Sequence, residues 1–158
     1  MQIRQNWPEA ETPETTAMLG IIRLRDIVMD ATRQLAADFG LTQAGFEVLT
    51  TLRAQPEPRR LTPTELYRAV LITSGGMTKV LKQLESEGLI TREDDPNDLR
   101  SRAVVLTEAG ARQAEAAMAA VNEQDKRLLG GALSDDQINR LVTVLLQTAR
   151  RVEGAGIT

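Results

Sequence analysis

The sequence predicts a mainly α-helical protein with one small β-hairpin. Apolar residues recur at helical spacing over most of the 158 residues, and only two short, neighbouring segments have the β-branched character of strands. Aromatic residues make up 3% of the chain against 42% hydrophobic residues in total, so the core consists mostly of Leu, Ile, Val, Ala and Met. Such a core is typical of packed helices, and the length suits a single domain spanning residues 1–158.

The first two helices follow an irregular arm of residues 1–13. The first helix begins at Glu14, and Gly40 ends it as the residue after its C-cap. Thr42 caps the second helix, which the Pro-rich segment 55–60 ends. The apolar residues that recur at spacings of three and four are Ile21, Leu24, Val28, Ala31 and Leu35 in the first helix and Phe46, Leu49 and Leu52 in the second.

Two short helices occupy the centre of the chain. Thr62-Pro63-Thr64-Glu65 is a capping box with proline at the first helical position, and it begins the third helix. Thr73-Ser74-Gly75-Gly76 forms a turn and caps a fourth helix, which ends at Gly88. Two apolar segments follow, residues 89–92 and 103–106, with a long polar tip between them. This order predicts a winged helix–turn–helix. Its second helix, here the fourth of the chain, is the recognition helix, which fits the DNA major groove, and the hairpin that follows is the wing.

The last two helices are long and amphipathic. Thr107 caps the fifth helix, Gly130-Gly131 ends it, and the capping box Ser134-Asp135-Asp136-Gln137 begins the sixth. The apolar faces of the first, fifth and sixth helices are longer than the central lobe can cover, so we expect a second copy of the chain to cover them. The expected regions are a helical dimerisation region at 14–39 and 108–152 and a winged helix–turn–helix lobe at 42–106.

The composition excludes several chemistries. The chain has neither cysteine nor histidine, which removes disulfides, Cys or His metal sites and the commonest general base. We therefore expect no metal and no cofactor. The N-terminus lacks the apolar stretch of a signal peptide, and no apolar run is long enough to span a membrane, so we expect a cytoplasmic protein with no membrane partner.

The charge balance argues only weakly against nucleic acid as a partner. The net charge is −3, but residues 59–102 hold eight Lys or Arg against seven Asp or Glu. Any DNA-binding face must therefore be built from individually placed cations and not from bulk charge.

Four segments of the chain form a recognisable set. They are Gly40-Leu-Thr-Gln-Ala-Gly-Phe-Glu-Val-Leu49, Leu61-Thr-Pro-Thr-Glu-Leu66, Leu84-Glu-Ser-Glu-Gly-Leu-Ile-Thr-Arg92 and Asp95-Pro-Asn-Asp-Leu-Arg-Ser-Arg-Ala-Val-Val-Leu-Thr107. Together they resemble the MarR family of transcriptional regulators, whose wing signature is an Asp-x-Arg core running into Leu-Thr. The resemblance spans roughly residues 15–150. It implies a bacterial or archaeal, nucleoid-associated homodimer in which the first, fifth and sixth helices interlock and two winged lobes bind a palindromic operator in double-stranded DNA.

The fourth helix carries one group of candidate DNA contacts. Its members are Ser74, Gly75, Gly76, Thr78, Lys79 and Lys82. Ser and Thr can bond base edges or phosphates, Lys can do either, and the two glycines let the backbone approach phosphate at a helix N-terminus. The alternative is an ordinary solvated helix face.

The wing supplies three more candidates. The resemblance implies that Arg100 is the tip arginine that enters the minor groove, and that Asp98, two residues earlier, braces it. It also implies that Arg102 contacts a phosphate. The alternative is an ordinary charged hairpin, and the additional acids at 93–95 would lower non-specific affinity.

An effector pocket is implied by the resemblance. One branch of the family responds to urate, with an N-terminal Trp, an Asp after an aromatic residue in the second helix, an Arg in the recognition helix and an Arg at the end of the first wing strand. Trp7 and Arg92 match the first and the last of these. Glu47, directly after Phe46, replaces the Asp by a longer acid, and Val80 stands where the recognition-helix Arg is expected.

The ligand class stays open at this point. Arg23 and Arg25 in the first helix are further candidates for the partner of an anion, and a solvated or interchain salt-bridge role also fits them. The alternatives are a urate-like ligand, another small aromatic or anionic ligand, or no ligand.

The leading functional expectation is a homodimeric repressor that a small aromatic or anionic ligand releases from its operator. The first alternative is a DNA-independent dimeric helical adaptor that binds a protein partner. An enzyme is not expected, because the paired carboxylates Asp94/Asp95 and Asp135/Asp136 fall in a loop and at a helix start, where they are solvated or cap the helix. The sequence also has no phosphate-binding loop and no nucleophile elbow.

Overall fold

The computed structural model describes residues 6–70, 74–95 and 98–156, and its description leaves out the side chains of residues 8, 74, 75, 95 and 98–101. The helices in this part of the chain are α1 (Pro13–Asp38), α2 (Gln43–Arg53), α3 (Pro63–Ala69), α4 (Ser74–Ser86), α5 (Glu108–Gly130) and α6 (Asp135–Gly154), with a short 3-10 helix at Pro8–Ala10. The strands are β1 (Arg60–Leu61), β2 (Ile90–Asp95) and β3 (Asp98–Leu106). The predicted fold class, mainly helical with a winged helix–turn–helix, is confirmed.

Side-chain caps begin the helices where the sequence predicts them. The Thr42 hydroxyl accepts a hydrogen bond from the Gly45 backbone N–H at 3.0 Å, and both halves of the capping boxes at Thr62 and Ser134 are present. Helix α1 begins one residue earlier than predicted, because Thr12 is its cap and Pro13 occupies its first position.

Two glycines end helices through left-handed backbone conformations. Gly40, after α1, has φ +69°, and Gly88, after α4, has φ +71°. Glycine adopts such values without steric cost, which confirms both predicted helix ends.

The predicted hairpin is present as β2 and β3, and a third strand, β1, which was not predicted, extends the sheet. Its order is β1-β3-β2, and the two residues of β1 pair antiparallel with Val104 and Val105 of β3. A strand of two residues is too short to show alternation in a sequence. Its position in the sheet comes from its partner and not from its own pattern.

The wing strands are longer than predicted. Residues 93–102 were expected to form a long polar tip, but β2 continues to Asp95 and β3 begins at Asp98. The charged residues therefore take part in the strand ladder. The predicted turn at 73–76 differs in a similar way, since Ser74, Gly75 and Gly76 already belong to α4 and Thr73 lies outside the described residues.

The core of the lobe holds the helix–turn–helix and the sheet together. The largest fully buried side chains are Leu49, Leu52 and Val48 of α2, Leu66 of α3, Met77 of α4, Ile90 of β2 and Val104 of β3. Burying an aliphatic side chain of this size contributes about 1.5–3 kcal/mol each. Helix α4 is therefore anchored through its inner face, which leaves its outer face available.

The chain divides into two compact units, residues 1–118 and 119–158. In the first unit, α1 exposes seven large apolar side chains: Met18, Leu19, Ile21, Ile22, Leu24, Ile27 and Val28. In the second unit, α6 has no buried residue and exposes Val142, Val144, Leu145, Leu146 and Val152. Among the described residues, none of the helices combines the length and apolar character that crossing a membrane requires.

Candidate nucleic-acid interface

Helix α4 separates an apolar inner face from a polar outer face. Met77, Leu81 and Leu84 are at most 2% exposed and point into the core of the lobe. The candidate contacts Thr78 and Lys79 are exposed, and so is Lys82, one turn further along the helix. In the described part of the chain no carboxylate forms an ion pair with either lysine. Both ammonium groups are therefore available to an external anion.

The N-terminal turn of α4 contains Ser74, Gly75 and Gly76. Gly76 is half-buried, whereas the side-chain surroundings of Ser74 and Gly75 lie outside the description. The first N–H groups of a helix have no acceptor within the helix, so this end favours negative charge. The three residues stay candidates for backbone or hydroxyl contacts to phosphate.

The two wing strands lose their regular register towards the tip. Asp94 pairs with Arg102, but Asp95 pairs with Asp98, so residues 99–101 of β3 fall between these two pairs. Arg100 is the middle residue of this extra segment. The side chains of Asp98 and Arg100 lie outside the description, and the predicted bracing of Arg100 by Asp98 stays a prediction.

Arg102, a candidate phosphate contact, also makes contacts within the wing. Its Nη2 donates to the backbone carbonyl oxygen of Arg92 at 3.0 Å, and its Nε lies 3.7 Å from Oδ1 of Asp94. The side chain is 59% exposed, so the guanidinium retains a solvent-facing surface.

A second arginine joins the wing to α4. Arg92 Nε lies 3.3 Å from Oε2 of Glu85, which is in the last turn of α4. The family resemblance implies an effector-pocket role for Arg92 and gives no role to Glu85. A signal was present, since an acid at the end of a helix and a base at the third position of the next strand are brought together by the short turn at Gly88.

A groove lies between α1 and α2, with the end of α3 at its border. Its volume is about 880 Å³, and its lining residues are Arg25, Asp26, Met29, Asp30, Arg33, Gln43, Ala44, Glu47, Thr50, Thr51, Ala69 and Val70. Of the candidate effector residues, Glu47 lines this groove, and Phe46 is buried in the core directly beside it in sequence. The lining, as far as the described residues show it, does not include the candidates Trp7, Arg23 and Arg92. Trp7 is 65% exposed on the N-terminal arm.

The groove contains two cations and three carboxylates. Arg25 Nη1 lies 3.1 Å from Asp26 Oδ1, and Arg33 Nη1 lies 3.0 Å from Asp30 Oδ1. Glu47 accepts a hydrogen bond from Gln43 Nε2 at 3.0 Å. Both ion pairs are largely exposed, so they are weak and a charged ligand can replace either partner at little cost. Within the described residues, no cluster of His, Cys, Asp or Glu has the arrangement of a metal site.

Comparison with known proteins matches part of this chain to one family. Residues 41–101 match the family model described as "MarR family". A helix–turn–helix transcriptional regulator of Bacillus cereus, itself described as uncharacterised, is 35% identical over 101 residues. That alignment covers 63% of this chain and 64% of the Bacillus protein, so the chain spans slightly less than two thirds of that relative's length.

Solved structures share the fold over most of the chain. A MarR family transcriptional regulator from Streptomyces coelicolor, solved in complex with DNA, has a TM-score of 0.74 at 22% identity, covering 90% of this chain and 89% of its own. NadR, solved in complex with 4-hydroxyphenylacetate, has a TM-score of 0.69 at 22% identity, covering 88% of this chain and 96% of its own. The matched segment 41–101 contains α2, the helix–turn–helix and most of the wing. Residues 41–101 thus match the MarR family, and the fold resembles that of solved MarR family regulators.

Proposed function

We propose that the chain is a sequence-specific DNA-binding transcriptional regulator, a homodimeric repressor of a palindromic operator that a small aromatic or anionic ligand releases. The observation that carries the proposal is the outer face of α4, where Thr78, Lys79 and Lys82 are exposed opposite a fully buried stripe. The transcriptional-regulator description of the Bacillus relative and the DNA complex of the Streptomyces fold neighbour support it.

The dimensions of α4 and the wing suit double-stranded DNA. Helix α4 has 13 residues and is therefore about 20 Å long, a length that the major groove admits. The wing projects a hairpin next to it, which suits a contact to the backbone or the minor groove. Together they can read one half-site.

The exposed apolar residues of α1 and α6 support a homodimer. A helix that exposes so many large apolar side chains is unusual on a monomeric protein and marks an interface. A twofold dimer presents two copies of α4 in opposite directions, which is why a palindromic operator follows from this arrangement.

The groove between α1 and α2 supports a ligand site. Its volume of about 880 Å³ lies within the usual range for small-molecule sites. Arg25 and Arg33 can pair with an anion, while Met29, Ala44 and Val70 offer apolar contacts. NadR binds the anionic aromatic 4-hydroxyphenylacetate, which makes that compound a reasonable first probe here.

Helix α2 connects the groove to the recognition helix. Glu47 lines the groove, and on another face of the same helix a Cβ at Gly45 would lie 3.5 Å from Leu84 Cδ2 of α4. A ligand that binds one spacing of α1 and α2 more tightly than another shifts the population of lobe positions. DNA is released if the lobe position that the ligand favours does not match the spacing of the two half-sites.

The test is selection of bound duplexes from a random-sequence pool, followed by titration against salt. A regulator enriches a palindromic sequence, and its affinity falls steeply with salt because phosphate contacts release counterions. Adding 4-hydroxyphenylacetate to the complex then tests release. A chain that enriches no sequence and binds no duplex contradicts the proposal and leaves the alternative of a helical adaptor for a protein partner.

A further inference from the structure

We propose that Glu85, Arg92, Asp94 and Arg102, named here the wing-root cluster, hold the wing at a fixed position against the recognition helix, with Arg92 as the central positioning residue. The inference rests on the proposed function, because it concerns how two DNA-contacting elements are kept in register. It assigns Arg92 to the wing and not to a ligand site.

Arg92 continues the inner face of β2 beyond the end of the apolar core. Side chains alternate along a strand, so Arg92 shares its face with Ile90, which is buried. Its partner across the ladder is Val104, which is also buried. The Arg92 side chain is only 23% exposed, and its contact with Glu85 at 3.3 Å is therefore less screened than an ion pair in open solvent.

Arg102 extends the cluster to the second wing strand. It donates to the backbone carbonyl oxygen of Arg92 at 3.0 Å and lies 3.7 Å from Asp94. Asp94 and Arg102 form the last pair in regular register, since the ladder shifts between Asp94 and Asp95. The cluster thus braces the hairpin where its regular pairing ends, and the segment 99–101 with Arg100 lies directly beyond it.

Because of this placement, we expect loss of the wing-root cluster to change DNA binding and not folding. Glu85 is 41% exposed and the Asp94–Arg102 pair is more exposed still, and ion pairs this open to solvent on at least one side contribute little to folding stability, so we expect loss of the cluster to leave the lobe folded. A wing that is free to move must instead be ordered when it binds, and ordering costs affinity. The cluster therefore acts on the affinity for DNA by fixing the wing in advance.

Glu85→Gln tests the inference, because it keeps the shape of the side chain and removes the charge opposite Arg92. Glu87→Gln is the matched control. It removes the same charge two residues later, where the carboxylate accepts a hydrogen bond from Gln83 Nε2 at 2.9 Å on the same helix end. Removing a negative charge near DNA by itself raises affinity, so the pair of variants separates position from charge.

The probes are duplexes that the wild-type chain selects from a random-sequence pool. We expect Glu85→Gln to bind them about three- to tenfold more weakly than wild type, the cost of ordering one or two side chains. Glu87→Gln is expected to bind as wild type or more tightly. In an Arg100→Ala background the loss caused by Glu85→Gln should disappear, because the wing then has no minor-groove contact to position. A change that only disturbed the fold would cause the same loss in both backgrounds and would lower the melting temperature.

The outcomes distinguish the two proposals. A wild-type chain that selects no duplex overturns the proposed function and this inference with it. A wild-type chain that binds DNA, with Glu85→Gln and Glu87→Gln indistinguishable, overturns the inference alone. An equal loss from Glu85→Gln with and without Arg100 also overturns it, and so does an Arg100→Ala variant that binds as wild type.

Discussion

Gly110 in α5 lies against the turn that leads from the recognition helix into the wing, and Gly110→Ala is expected to destabilise the chain. A Cβ at this position would lie 2.0 Å from the carbonyl oxygen of Leu89 and 2.8 Å from Leu106 Cδ1. The Leu89 carbonyl is held in place, because it accepts hydrogen bonds from the Thr107 backbone N–H at 3.1 Å and from the Thr107 hydroxyl at 3.0 Å. The added methyl group can therefore be accommodated only if α5 and the turn move apart by about 1 Å or more, since non-bonded heavy atoms pack at about 3.5–4.0 Å.

The stability change expected for Gly110→Ala is opposite in sign to the change that helix propensity alone predicts. Propensity alone favours Ala over Gly inside a helix by about 0.5–1 kcal/mol. Overpacking costs about 1–3 kcal/mol, and disturbing the two hydrogen bonds to Leu89 costs about 0.5–1.5 kcal/mol each. The net expectation is a loss of about 2–4 kcal/mol in the free energy of unfolding, or roughly 5–15 °C in Tm for a chain of this size.

Thermal and urea unfolding at one protein concentration measure the effect, with Gly130→Ala as the matched control. Gly130 is in the same helix, and a Cβ there meets nothing within 4 Å. That variant is expected to be neutral or more stable by up to about 1 kcal/mol. A Gly110→Ala chain as stable as the Gly130→Ala chain would refute the tight contact between α5 and the wing turn, and with it the rigid attachment of the lobe to the start of α5.

The remaining predictions concern DNA and assembly. Arg100→Ala should lose most affinity on operators with A·T-rich flanks, and Arg100→Lys should restore it only in part, because a planar guanidinium fits a narrow groove better than a hydrated ammonium; equal losses on both kinds of flank would leave only a phosphate contact. Lys82→Ala should weaken binding to all sequences and reduce the salt slope by about one unit if Lys82 contacts phosphate; a loss confined to one base position would instead indicate base reading. Leu145→Asp should convert a dimer into monomers or unfolded chain, because it places a charge on the exposed apolar face of α6; light scattering that finds a wild-type monomer would contradict the dimer.

Local signals in the sequence were sufficient to predict where the helices begin and end. The capping side chains Thr42, Thr62 and Ser134 act on backbone groups three residues away, and Gly40 and Gly88 act through their own backbone conformation. Interactions of that range are readable without knowledge of the fold. The strand β1 was missed because its two residues are held by β3, more than 40 positions later in the chain.

The candidate site was predictable only where it depends on one element. The periodicity of α4 correctly placed Thr78, Lys79 and Lys82 away from its buried stripe. The groove, by contrast, joins residues of two helices that sequence cannot bring together, so Arg33 and Gln43 were not anticipated. Arg92 was predicted for a ligand pocket from resemblance, whereas its neighbour in the structure is Glu85, a pairing that depends on the angle between α4 and β2.

A net charge of −3 is compatible with DNA binding because the two kinds of cation in the lobe have different surroundings. Arg92 and Arg102 lie against Glu85 and Asp94, so these two carboxylates are already paired within the lobe. Lys79 and Lys82 project from α4 without a carboxylate partner in the described part of the chain. Arginine makes directed bonds in a fixed plane, whereas lysine is a mobile point charge. The arginines of the wing root are thus suited to holding geometry, and the lysines of α4 to attracting phosphate. Phosphate contacts carry no sequence information, so under the proposed function we expect discrimination between operators to come from the hydroxyl groups of α4 and from Arg100 in the wing.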